Sequence, residues 1–296
     1  MHYQLLPNAN IKTADILILP FAYEDTVSSK VGTKDAPKGI LEATAQIEYY
    51  EEDLEWSPMK YMSVCVLDEI SKYKEVTPLL DSLRLTTNKL LVTLGGEHSI
   101  TPMITQKLLK QNATIVFLDA HADLRVSYKG EAYSHATPAH HLLQQGHKLV
   151  MAGIRSLFEA EALRVKEDEN ITFFSDRMLQ KREIKEQFLQ TLRDLEGDVY
   201  LSIDMDVFNP AYVPSVGTPQ PGGMDWYDAT NILEALFLNK KITLKGVDMV
   251  ELIPEESEVS QTFAAKLLQK IISYWGKSQG FDKKQLRGTQ MQVAFE

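Results

Sequence analysis

The stretch Ala113–Arg125, ATIVFLDAHADLR, decides how the chain is read. Its first part is a short apolar run rich in β-branched residues, the pattern of a strand buried on both faces. Its second part places Asp119, His121 and Asp123 on every second residue. An extended backbone turns alternate side chains to one side, so the end of this strand would aim three metal-type ligands at one point. In an open parallel sheet, ligands collect at the carboxyl ends of the strands.

Three more strand-like runs end in similar residues. KLLVTLG leads into GGEHSI with His98, DVYLSIDMDV carries Asp204 and Asp206, and LKGVDMVEL carries Asp248 and Glu251. Alone, GGEH reads as a tight turn with a surface histidine, and DMD as a turn or helix cap. Capping does not account for the five residues of the Asp119 and Asp204 clusters at i, i+2 spacing directly after apolar runs. Buried unpaired carboxylates are costly, whereas cations neutralise them. Four aspartates and two imidazoles exceed a tetrahedral zinc site and suit two Mn²⁺-like ions. Ions about 3.5–4 Å apart can hold a bridging water or hydroxide, a nucleophile near neutral pH.

Outward from these motifs, β-rich runs (DILILPF, YMSVCVLDEI, KLVMAGI, ITFFS) alternate with helical ones (PMITQKLLKQ, MLQKREIKEQFLQTLRDLEG, WYDATNILEALFLNKK, SQTFAAKLLQKIISYWGKSQG). That alternation predicts a parallel sheet covered by helices. Without repeats or linkers, 1–296 reads as one domain. Two irregular segments, AYEDTVSSKVGTKDAPKGI and FNPAYVPSVGTPQPGG, are long enough to rim a site.

Composition narrows the function. The formal net charge of −10 argues against nucleic acid as a partner and suits a cationic one. No stretch approaches a membrane span or a signal sequence. The lone Cys65 cannot form an internal disulfide and fits a reducing cytoplasm, as a buried thiol. No G-x-G-x-x-G or Walker-type loop follows the early strands, which excludes the usual nucleotide sites.

The ordered motifs GGEHSI, DAHAD, SIDMDVFNP followed by GTPQPGG, and GVDMVE resemble those of the ureohydrolase (arginase/agmatinase) family of binuclear manganese hydrolases. The resemblance runs from LPFAYEDTVSSKVGT to the final helix and implies an arginase-like α/β/α fold of three layers with a mostly parallel central sheet. It implies that His98, Asp119, Asp123 and Asp204 hold one Mn²⁺ and that Asp119, His121, Asp204 and Asp206 hold the other, with Asp119 and Asp204 bridging. Asp123 would also orient a metal-bridging hydroxide, His135 would shuttle protons to the leaving amine, and Glu251 would receive the guanidinium. Glu97, Asn209 and Ala136 depart from the residues common at those places, and Asn209 is expected to weaken hydrogen bonding beneath the DMD ligands.

The implied reaction is hydrolysis of a guanidino compound to urea and an amine. LRVSYKGEAYSHA resembles the agmatinase-like branch and lacks the segment by which arginases hold an α-carboxylate, so agmatine, giving putrescine and urea, is the expected substrate. Arginine, guanidinobutyrate, formiminoglutamate and aminopropylagmatine are the alternatives, and a metal-binding relative without catalysis is the remote one. Arg125 is expected to pair with structural acids; facing the pocket, it would favour a carboxylate tail. Glu161 is a candidate ammonium contact against a plain reading as a solvated helix residue, and His140 and His141 read as helix-surface histidines. The family implies a homotrimer or a homohexamer.

Overall fold

The computed structural model describes residues 1–83, 85 and 88–284. Eight strands form one sheet: β1 (Ile16–Phe21), β2 (Val64–Val66), β3 (Leu90–Gly95), β4 (Thr114–Leu118), β5 (Lys148–Ile154), β6 (Ile171–Ser175), β7 (Gly197–Asp204) and β8 (Ile242–Val250). Every pairing is parallel, in the order β2-β1-β3-β8-β7-β4-β5-β6. The expected strand in YMSVCVLDEI shortens to the three residues of β2, at the sheet edge.

The helices are α1 (Ala36–Ala43), α2 (Tyr73–Leu83), α3 (Thr101–Leu108), α4 (Pro138–Gln144), α5 (Glu159–Glu167), α6 (Asp176–Leu179), α7 (Arg182–Arg193), α8 (Trp226–Phe237) and α9 (Val259–Ser278). Their starts are written locally. α1, α3 and α4 have proline in the first two positions, where its missing N–H costs nothing. α8 opens with Asp225 and Asp228 each accepting the other's backbone N–H. MLQKREIKEQFLQTLRDLEG, read as one helix, is two, because Lys181 between them is extended; Leu179 and Phe188 thereby both reach the core.

Alternation along β1 divides the core. Ile16 and Ile18 join one apolar cluster with Leu267, Leu268 and Ile271 of α9 and Ile232 and Leu236 of α8. Leu17 and Leu19 join the other, with Val76 of α2, Ile104 of α3 and Leu142 of α4. A sheet buried on both faces explains why β1, β3 and β4 are buried throughout and almost wholly apolar. The result is three α/β/α layers. Cys65 is buried, and among the described residues no helix is long and apolar enough to cross a membrane.

Candidate metal centre

β3, β8, β7 and β4 are consecutive in the sheet, so the four motif-bearing strand ends are neighbours. Their register levels them. Leu118 pairs with Ile203, Ile203 with Met249 and Met249 with Leu94. One residue past Leu118 and Ile203 stand Asp119 and Asp204, and the Glu251 N–H donates to the Gly96 carbonyl at 2.8 Å. Gly96 has to be glycine there: a Cβ would lie 1.9 Å from the Tyr23 carbonyl oxygen.

Two trios of potential ligands result, His98–Asp119–Asp204 and Asp119–His121–Asp206. His98 Nδ1 lies 3.1 Å from Asp119 Oδ2, 3.2 Å from Asp204 Oδ2 and 3.6 Å from Asp123 Oδ2. His121 Nδ1 lies 2.8 Å from Asp206 Oδ2 and 3.7 Å from Asp119 Oδ1. Asp119 is common to both trios, while Asp204 is in the His98 trio only; its Oδ1 accepts the Asp206 N–H at 2.8 Å, so the cap reading of DMD also holds. Asp119 Oδ1 accepts the His121 N–H, and Asp206 Oδ1 the Ala120 N–H, at 2.6 and 3.0 Å.

The site is short of positive charge. Burial, then the neighbouring Asp206 and Asp119 carboxylates, pushes Asp204 well above the usual carboxylate range, and burial, then Asp119, does the same to Asp123. Burial opposes charge on both histidines, yet the facing aspartates push His98 up to about 9 and His121 to about 12. His98 Nδ1 and Asp119 Oδ2 are buried, face each other, and have no hydrogen-bond partner among the described residues. Orphaned donor atoms amid crowded carboxylates fit divalent cations with mixed oxygen and nitrogen ligation. The third acidic group, Glu51, Glu52 and Asp53, is different: the buried Lys270 ammonium binds all three.

Behind His98 the polar chain continues. Ser202 donates to Asp248 Oδ1 at 2.6 Å, so it accepts from His98 Nε2 at 2.9 Å and leaves the Nδ1 lone pair available to a cation. Thr101 and Tyr200 donate to Asp248 Oδ2 at 2.8 and 2.9 Å. Asp248, grouped in sequence with the strand-end ligands, instead supports one from within β8.

Asp123 corrects the alternation. β4 ends at Leu118, and Asp123 has φ of 51°, so a left-handed turn rather than an extended strand brings it to His98. Glu251, at φ 66°, is likewise left-handed, and its Oε1 accepts the His98 N–H at 2.7 Å. Burial foremost raises Glu251 to about 8. Such backbone strain costs on the order of 1–3 kcal/mol per residue and gathers at functional sites.

Arg155, which carries no sequence signal, clamps the second trio. Its guanidinium donates to the carbonyls of Gly153, Asp206, Val207, Phe208 and Gln220 at 2.7–3.3 Å. Asn209 does not reach the ligands by hydrogen bond; its Oδ1 accepts the Ala211 N–H at 2.9 Å.

The trios open into a cleft of about 330 Å³ that Ser28, Tyr128, His135, Phe158 and Glu251 also line. Both irregular segments reach it, through Ser28 and Thr218. Arg125 does not pair with structural acids: among the described residues it has no ion-pair partner, and its guanidinium lies 5.3 Å from the Tyr128 ring centroid and 5.0 Å from that of Phe158. Glu161 is buried rather than solvated, accepting the N–H groups of Leu124 and Phe158 at 3.0 and 2.6 Å. His140 and His141 are buried too, His140 against Arg164 and His141 stacked on Tyr133.

Residues 14–273 match the profile of the Arginase family. The chain belongs to the arginase family. It is 32% identical over 281 residues to the N(1)-aminopropylagmatine ureohydrolase of Synechocystis sp., covering 90% of each chain. It is 32% identical over 279 residues to the agmatinase of Pyrococcus horikoshii, covering 90% of this chain and 94% of that one. The agmatine ureohydrolase structure of Thermoplasma volcanium superposes with a TM-score of 0.78 at 28% identity, covering 92% of this chain and 93% of that one. As an arginase-family ureohydrolase of the agmatinase-like branch, the protein is a hydrolase of guanidino compounds.

Proposed function

We propose that the protein hydrolyses agmatine to putrescine and urea at a pair of Mn²⁺ ions held by His98, Asp119, His121, Asp123, Asp204 and Asp206. The observation that carries the chemistry is the convergence of both His/Asp trios at one cleft with His135 and Glu251. Bound there, two divalent ions would offset the aspartates and supply a water-derived nucleophile at neutral pH.

The chain's own residues do the rest. Glu251, fixed by the His98 N–H and ionised once cations face it, receives the guanidinium as a charge-assisted contact and holds its carbon toward the trios. Asp123 accepts a hydrogen from the nucleophile and aligns it. His135 lines the same cleft, and burial foremost holds it below its ordinary pKa, so it can take a proton and give it to the departing amine.

The net charge of −10 modestly favours a cationic tail over an anionic one. The relatives named for agmatine and aminopropylagmatine support the same class. Aminopropylagmatine is the second reading, favoured by the relative of that name and by a rim on which Phe158 is 55% exposed. The same reading carries a cytoplasmic homotrimer or homohexamer, which light scattering from a 33.5 kDa species alone would reject.

A panel of agmatine, aminopropylagmatine, arginine, guanidinobutyrate and formiminoglutamate, scored for urea or formamide, tests it. We expect kcat/KM for agmatine to exceed the values for arginine and guanidinobutyrate by at least about tenfold, roughly 1.4 kcal/mol. A guanidinobutyrate preference would overturn the cationic tail and turn attention to Arg125.

A further inference from the structure

A line of hydrogen bonds outside the proposed ligands runs from Glu97 to His135. Glu97 is fully buried beside Gly96. Its Oε2 accepts the backbone N–H groups of Asp25 and Thr26, both at 2.8 Å. Its Oε1 accepts the hydroxyls of Ser99 at 2.5 Å and Thr26 at 2.9 Å.

The hydrogens on this line can be counted. A carboxylate only accepts, so the one hydroxyl hydrogen of Thr26 is committed to Glu97. Two lone pairs remain on Thr26 Oγ1, and both are taken by His135: its backbone N–H at 3.1 Å and its ring Nδ1 at 3.3 Å. Thr26 has no hydrogen left to give the ring, so Nδ1 carries the proton and Nε2 the lone pair. Ser28 Oγ lies 3.1 Å from Nε2 and donates to it, and both residues line the cleft.

We infer that Glu97 and Thr26 are positioning residues that lock His135 in its Nδ1–H tautomer and keep the Nε2 lone pair at the cleft. The inference deepens the proton-shuttle role given to His135 above and rests on it for its catalytic meaning. A glutamate at 97 suits that role because one carboxylate grips two consecutive backbone N–H groups of the 22–32 loop and the Thr26 hydroxyl together. Burial, which disfavours a charged imidazole, agrees with a neutral ring in the resting site.

The test reads the tautomer and the rate separately. Long-range proton–nitrogen NMR on ¹⁵N-labelled protein loaded with diamagnetic Zn²⁺ distinguishes a protonated from a bare ring nitrogen, and His135→Ala assigns the signal. We expect Nδ1–H in the parent and in Thr26→Ser, and a mixture or Nε2–H in Thr26→Val. With Mn²⁺, Thr26→Val should lower kcat by roughly 10–10²-fold at nearly constant KM, less than the 10²–10⁴-fold expected for His135→Ala, and Thr26→Ser should recover most of it.

An Nε2–H ring in the parent overturns the inference whether or not the variants fold. So does a parent-like tautomer or a parent-like kcat in folded Thr26→Val. Full turnover by His135→Ala would remove the shuttle role and with it the catalytic meaning, while the spectrum still decides the tautomer.

Discussion

Asp119 and Asp204 stand one residue beyond a paired position on adjacent strands, and each aims Oδ2 at Nδ1 of His98, at 3.1 and 3.2 Å. Two carboxylates fixed so closely by sheet register repel one another unless a cation lies between them. Held in that register without a metal, the Asp204 carboxyl is pushed well above its usual range, and a divalent cation would reverse that.

Asp204→Asn should accordingly act with opposite signs in the two states. In metal-free protein it replaces a buried carboxyl whose charge burial and its neighbours oppose, while its Oδ1 can still accept the Asp206 N–H, so Tm should rise, at about 2–4 °C per kcal/mol for a chain this long. With Mn²⁺ at a hundredfold excess over its dissociation constant, the parent gains about 2.7 kcal/mol per site and the variant should lose that gain for the His98 trio. Differential scanning with and without chelator measures both; a variant destabilised in both states would sink the cation argument.

Ser202→Ala should weaken one ion selectively. It removes the acceptor that holds His98 Nε2–H and one of the three donors on Asp248. Loss of such a supporting contact lowers metal affinity by about 10–100-fold. Calorimetric titration of metal-free protein should show one weakened step and one near the parent. Equal weakening of both steps would mean that the serine acts on the whole site.

A pH effect should come from His147, away from the cleft. Burial holds its pKa below the ordinary histidine value of 6.5, and its buried Nδ1 has no hydrogen-bond partner among the described residues. The unfolded chain thus binds a proton that the folded one resists, so stability falls as pH drops below about 6.5. Thermal melts of His147→Gln between pH 7 and pH 5 should show a shallower decline than the parent's; an unchanged slope would show that His147 contributes nothing to it.

The fold is legible in the sequence because strand–helix alternation and unbroken apolar strands are local properties. Asp119 and His121 are legible for the same reason, lying where β4 gives out. Asp123 is reached by the wrong geometry, since nothing in DAHADLR announces a left-handed turn at its fifth residue. Asp248 looks like its neighbours because the sequence shows where a carboxylate is, not whether it faces an opening or Ser202, Thr101 and Tyr200. Arg155 is invisible for a further reason: its partners are carbonyls spread from Gly153 to Gln220, and any residue type supplies a carbonyl.

The strand order has a consequence for how the chain is made. β7 and β8 lie between β3 and β4, although among the described strands they are the last two to be synthesised. Until they leave the ribosome, β2-β1-β3 and β4-β5-β6 are two half-sheets, each with an apolar edge that lacks its native neighbour. Bare edges of that kind invite pairing with other chains, and closing them brings together segments far apart in sequence, which is slow. A nascent chain stalled before residue 242 should therefore be the aggregation-prone form of this protein, and the one most in need of a chaperone.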